Sequence, residues 1–424
     1  MEAHFFRVLE DPKAALQCRI DLIQQAEHEI LLSYYILKDD LTGKTLLSLL
    51  AEAAAQRGVV VRILMDRTGS KLSAPMRAFL KKNRVEVHRF FLKKKPLKKF
   101  YHHLHEKIFI VDNCVLMVGG RNLKDSYYGL GKDFNFFDYD VLATGDTLLR
   151  DARLHFYTSW DDERLSSPYS APHVTEKEAA EYLKTIESAT ATVQQKLGIQ
   201  FNTKADWRTG CQAISAHAGF IHDNFFTKKG NQYVPSDEKD LRSTHALIAF
   251  VDSAQHSILI ENPYFIPTKA WDRALRNALR RGVRVRLTTN SIQSNDLPIR
   301  QAAYLNRRKK MLRRGLEIWE VQGPEKLHAK VLVVDQALVA IGSYNIHRPS
   351  ERYNTEVAIW IQDAPTAQLQ MNRMKKNLEN ALQIGPNNRA IPKPGQHFNQ
   401  PSFCLRAKTF MLRHTIARAF GWLM

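Results

Sequence analysis

His105-x-Lys107, followed by Asp112, Gly119, Gly120 and Asn122, recurs as His328-x-Lys330, followed by Asp335, Gly342, Ser343 and Asn345, at a constant offset of 223 residues. One such pattern arises by chance in on the order of several per cent of chains this long. A second copy with the same glycine, small residue, x, asparagine tail marks a duplication. The chain must therefore fold as two related halves.

The duplication carries secondary-structure signals with it. In the first half an apolar run, Ile30 to Ile36, reads as a buried strand; a helix over Leu46, Leu47, Leu50 and Ala54 follows, ends at Gly58, and gives way to the strand Val59 to Asp66. The second half repeats this order with Ile258 to Ile260, a helix over Trp271, Leu275, Ala278 and Leu279, then Gly282 and the strand from Val283 to Leu287. Each motif then starts a strand (Lys107 to Val111, Lys330 to Val334) paired in sequence with a second apolar run. Strands alternating with helices give an α/β class with mixed sheets, arranged as two αβα lobes related by a pseudo-two-fold axis.

A Ser/Pro-rich connector, Ser166 to Val174, separates a lobe over residues 1–174 from one over 175–400, and Thr175-x-x-Glu178 has the form of a capping box opening the next helix. Residues 401–424 form a basic, aromatic tail, and 198–240 give no clear signal.

The 424 residues, 44% of them hydrophobic, suffice for two full cores, and a formal charge of +19 favours polyanionic partners, either nucleic acid or an anionic membrane surface. No apolar run reaches the roughly 18 to 20 residues that span a bilayer. The four cysteines, Cys18, Cys114, Cys211 and Cys404, have no paired or metal-ligand spacing, which suits a reducing compartment.

On a strand, residues two apart face the same way, so His105 projects beside Lys107 and His328 beside Lys330. A nucleophile or acid-base group thus stands next to a fixed cation. Gly120 and Ser343 permit close backbone approach, and Asn122 and Asn345 add amide donors. If both motifs reach one site, one imidazole can attack phosphorus while the other protonates the leaving oxygen, and the lysines and asparagines stabilise the non-bridging oxygens. This chemistry requires no metal or cofactor. Any single histidine is ordinarily a satisfied structural residue, and His28, His88, His102, His103 and His256 are read that way; only repetition singles out the other two.

The paired motifs resemble those of the phospholipase D superfamily over about Ile30 to Ile361. The resemblance implies a phosphohistidine mechanism at the interface of two pseudo-symmetric lobes. It makes His105 the nucleophile and His328 the general acid and then base, with Lys107, Lys330, Asn122 and Asn345 binding phosphate. Asp112 and Asp335 become strand-end, mostly structural residues. A carboxylate following each motif orients the histidine in many members. Glu356 matches that position after the second motif; after the first, Asp140 is preferred, with Asp138 as the alternative.

Gly119-Gly120-Arg121-Asn122-Leu123, the stretch Phe137 to Gly145, and Tyr264-Phe265-Ile266-Pro267 resemble bacterial cardiolipin synthases, especially the branch without N-terminal membrane anchors. The implied function is transfer of a phosphatidyl group between phospholipids, with Tyr264 lining the lipid pocket; hydrolysis to phosphatidic acid is the alternative. Nucleic acid is the less favoured substrate. Basic runs (Lys93 to Lys99; Arg307 to Lys310 with Arg313 and Arg314) and a tail mixing Phe403, Leu405, Phe410, Ile416, Phe420 and Trp422 with arginine and lysine suit peripheral association with the cytoplasmic face of an inner membrane. The oligomeric state is not legible.

Overall fold

The computed structural model describes residues 4–91, 102–202, 206–214, 217–229, 232–235, 239–395 and 400–420. The chain divides into two compact units. The first comprises Met1–Asn135, Tyr139–Ser215 and Asn354–Val357; the second comprises Phe136–Asp138, Ala216–Tyr353 and Ala358–Met424.

In the first unit a nine-stranded sheet contains three parallel neighbours, Glu29–Tyr34, Val60–Asp66 and Glu86–Phe90. They are parallel because the helices Leu41–Arg57 and Ala74–Lys82 carry the chain back between them. Asp40 caps the first helix, and Gly58 ends it in the left-handed region at φ 74°, as the sequence suggests. The motif hairpin, Lys107–Val111 with Val115–Gly119, adds antiparallel to Glu29–Tyr34. Every residue of both hairpin strands is buried, so both faces of the sheet are covered.

The second unit repeats this plan in an eight-stranded sheet. Ser257–Glu261, Arg284–Asn290 and Glu317–Val321 run parallel, and the hairpin Val331–Val334 with Leu338–Gly342 adds antiparallel. Register is preserved as well: Ile258 pairs with Val285 and Val334, as Ile30 pairs with Val61 and Val111. Both units are thus mixed α/β, as expected.

Asp112 and Asp335 account for their place in the repeat. Each sits at positive φ (50° and 48°) in the hairpin turn, where its carboxylate accepts from three successive backbone N–H groups at the start of the first parallel strand. Asp112 receives Glu27, His28 and Glu29, each at 2.8 Å. Asp335 receives Gln255 at 2.7 Å and His256 and Ser257 at 2.8 Å. Burial pushes the Asp335 carboxyl up, but the three N–H groups outweigh it and hold it below the usual range. Both aspartates lock strand ends.

The unit boundary differs from the one expected at Val174. The helix Glu176–Leu197, opened by the Thr175/Glu178 capping box, packs on Leu41–Arg57, so the first unit continues to Ser215. The unread stretch also supplies strands. Gln212–Ile214 extends the first sheet beside His4–Leu9, whereas His217–His222 joins the edge of the second.

The tail forms two helices, Phe403–His414 and Ile416–Phe420, both packed on the helix Pro298–Arg313. Asn306 and Arg413 exchange hydrogen bonds there, at 2.9 and 3.1 Å. The outer face leaves Phe403 77% and Phe410 64% exposed, with Met411 and Ile416 beside them. The Phe420 side chain, Trp422 and the run Lys93 to Lys99 lie outside the described residues. No helix among the described residues is long and apolar enough to cross a membrane.

Candidate active site

His105 sits just ahead of the buried strand Lys107–Val111, with Nδ1 2.9 Å from Oε2 of Glu356, which is completely buried. The segment Asn354–Val357 delivers that carboxylate within the first unit by pairing with the motif backbone. His105 N–H donates to Thr355 O at 3.1 Å, and Thr355 N–H donates to His103 O at 3.0 Å. Thr355 Oγ1 also donates to Glu106 at 2.7 Å, and Glu106 bonds His155 Nε2 at 2.7 Å. The segment is therefore held by side chains as well as by backbone.

Lys107 Nζ donates to His105 O at 2.6 Å and lies 5.3 Å from the centre of the Tyr35 ring, which also packs 4.9 Å from the His105 ring. Asn122 is buried, accepts from Ile36 N–H at 3.0 Å and donates to Tyr127 Oη at 2.8 Å. Gly119 must be glycine, because a Cβ there would fall 2.1 Å from Oδ1 of Asp140. Gly120 N–H continues the contact, donating to Tyr139 O at 3.0 Å.

In the second unit His328 repeats the arrangement. Its Nδ1 lies 2.6 Å from Oδ2 of Asp138, its N–H donates to Phe137 O at 2.8 Å, and Lys326–Leu327 pairs with Phe136–Phe137. Lys330 Nζ is 2.7 Å from Nδ1 and 3.2 Å from Nε2 of His328, and it also donates to His328 O. Burial and the neighbouring Lys330 cation, only partly offset by Asp138, pull the His328 pKa down to about 4. The unliganded imidazole is therefore neutral at neutral pH. Ser343 and Asn345, which follow His328 in the loop after the same hairpin, are buried, and Asn345 Oδ1 makes no hydrogen bond among the described residues. Tyr264 meets the His328 ring edge-on at 6.3 Å and donates its hydroxyl to Asp296 at 2.6 Å.

The carboxylates correct the sequence reading. Asp140 does not orient His105; its Oδ2 is held by Arg19 at 2.9 Å and Arg121 at 3.4 Å, all three groups being buried. Glu356, which follows the second motif, serves the first histidine, and Asp138, which follows the first motif, serves the second. The reason is topological: the segments Phe136–Asp138 and Asn354–Val357 each belong to the unit built mainly from the other half of the chain. Glu106, Tyr35 and Asp296 had no distinguishing signal, since none lies in a repeated position.

A family model described as "Cardiolipin synthase, PLD-like domain" matches residues 19–156 and 247–378, well over half of the chain. Cardiolipin synthase C of Escherichia coli (strain K12) is 30% identical over 410 residues, covering 85% of this chain and 82% of that protein. Cardiolipin synthase 2 of Bacillus anthracis is 29% identical over 386 residues, covering 89% of this chain and 65% of that protein. Among solved structures, the phosphatidylserine synthase of Haemophilus influenzae Rd KW20 has a TM-score of 0.69 at 13% identity, covering 99% of this chain and 96% of that one, a likeness of fold. Sequence and architecture agree that the chain belongs to the phospholipase D-like cardiolipin synthase family of enzymes.

Proposed function

We propose that the protein is a phosphatidyltransferase of the cardiolipin synthase type, transferring a phosphatidyl group between phospholipids through a phosphohistidine. The observation that carries this reading is the matched pair of imidazoles, each with Nδ1 on a buried carboxylate, Glu356 for His105 and Asp138 for His328. A carboxylate on Nδ1 fixes the tautomer and makes Nε2 the reacting nitrogen.

In the first step His105 Nε2 attacks phosphorus of the donor phospholipid. A P–N bond forms, the P–O bond to the headgroup alcohol breaks, and that oxygen takes a proton from His328. In the second step His328 removes the proton from a hydroxyl of the acceptor phospholipid, whose oxygen attacks phosphorus and expels His105. Lys107, Lys330, Asn122 and Asn345 carry the charge on the non-bridging oxygens. His328 is neutral before substrate binds, because of burial and Lys330. An anionic phosphodiester beside Lys330 offsets that cation, so substrate binding brings His328 its proton.

We further propose that the exposed Phe403, Phe410, Met411 and Ile416, among Arg406, Lys408, Arg413 and Arg418, rest on an anionic membrane surface at its cytoplasmic face. Purified protein with EDTA, offered phosphatidylglycerol with and without phosphatidylethanolamine, and plasmid and single-stranded DNA in parallel, tests the proposal. Cardiolipin formation is expected. Phosphatidic acid as sole product would make the enzyme a phospholipase, and strand cleavage without lipid turnover would overturn the lipid reading.

A further inference from the structure

A cavity of about 540 Å³ in the second unit is lined by five cationic side chains, Lys269, Arg307, Lys310, Arg348 and Arg352, against two carboxylates, Asp272 and Glu351. Both carboxylates are already engaged: Asp272 with Arg314, and Glu351 with Thr268 and with Arg352 at 2.9 Å. Five cations against two carboxylates leave the lining net positive. Arg307 is fixed there by donating to Pro267 O, and burial, countered by Asp272, lowers its pKa.

The cavity is tied to the second motif. Its wall begins at Ile266, whose N–H donates at 2.8 Å to the carbonyl of Ile346, the residue after Asn345. Its lining also includes Arg348, Glu351 and Arg352 of the short helix Arg348–Arg352, whose cap, His347, stacks on Tyr264 at 6.4 Å. Tyr264 in turn packs on His328. Two rings, His347 and Tyr264, thus link the wall of the cationic space to the acid-base histidine, His328.

We propose that this cavity holds the phosphodiester of the acceptor phospholipid, an inference that rests on the transferase reading above. Joining two phospholipids through one glycerol requires the enzyme to bind two phosphates a glycerol apart. The motif lysines and asparagines provide for the one that reacts. Lys269, Arg307, Lys310 and Arg348 provide for the one that does not, and an acceptor lacking a phosphate gains nothing from them.

The test is acceptor selectivity, measured with full-length Lys269→Ala/Lys310→Ala, both positions being exposed. Phosphatidylglycerol and a phosphate-free primary alcohol compete for the same labelled donor. The ratio of cardiolipin to alkyl ester is expected to fall at least about tenfold, the equivalent of one charge-assisted contact, and Lys269→Arg/Lys310→Arg is expected to restore it. An unchanged ratio, whether or not both products decline, overturns the proposal. In calorimetry, wild-type protein is expected to bind dihexanoyl phosphatidylglycerol more tightly than inorganic phosphate, with binding weakened in the alanine variant. Equal or tighter binding of inorganic phosphate overturns the proposal in favour of a free-phosphate site. A wild type that forms no lipid product sinks the proposed function; one that forms cardiolipin with an unchanged ratio in the variant sinks only the cavity.

Discussion

Glu356 Oε2 lies 2.9 Å from His105 Nδ1 although 251 residues separate them, and Asp138 stands in the same relation to His328 across 190 residues. The two carboxylates do one kind of work at two different histidines, so their removal should be separable. We expect Glu356→Gln and Asp138→Asn each to lower kcat on the order of 100-fold or more, the range of a lost acid-base contribution. With a donor whose leaving group needs no proton, such as a nitrophenyl phosphodiester, the first step, read as the burst of nitrophenol, should be rescued in Asp138→Asn and remain impaired in Glu356→Gln. Equal rescue of both would remove the assigned division of labour.

Asp140 is expected to behave differently, because its partners are Arg19 and Arg121. Asp140→Asn leaves buried guanidinium groups uncompensated and should destabilise the protein by about 3–5 kcal/mol. Urea unfolding measures this. A normal midpoint combined with lost activity would return Asp140 to the reaction.

The depressed pKa of His328, about 4, arises from burial and Lys330 and makes stability depend on pH. As pH falls, the unfolded chain binds the proton first, near the ordinary value of about 6.5, and the folded protein only near the lower value. The contribution is therefore complete above about 6.5 and is lost between there and the folded value. From pH 7 to pH 5 we expect a loss of about 2 kcal/mol attributable to His328. Unfolding of wild type and His328→Gln at both pH values checks it, and identical pH dependence would contradict it.

On the tail, Phe403→Ser/Phe410→Ser/Met411→Ser removes exposed apolar surface without touching the buried Ala417 and Thr409. Co-sedimentation with phosphatidylglycerol vesicles is expected to weaken by roughly tenfold or more, given about 0.8 kcal/mol per buried methylene. Unchanged partitioning would sink the membrane role of this face.

Much of the architecture was legible because duplication repeats local signals: the two parallel strand-helix-strand units, Gly58 as a helix end and the motif hairpins all follow from runs a few residues long. The carboxylate assignments were not legible, because they depend on which unit the segments Phe136–Asp138 and Asn354–Val357 join. Constant spacing held through Asn122 and Asn345 and lapsed where the chain crosses over. Asp138 and Asp140 share local sequence character, and only the buried arginines Arg19 and Arg121 separate them. The strand Gln212–Ile214 was silent for another reason: it is short, and it gains order by pairing with the distant His4–Leu9.

The central claim is a covalent phosphatidyl-histidine at His105, and rapid quenching with donor labelled at phosphorus tests it most directly. Protein-bound label that is acid-labile and base-stable is expected, absent in His105→Ala and retained in His328→Ala when the donor carries a leaving group that needs no proton. Label that survives in His105→Ala and disappears in His328→Ala would contradict it.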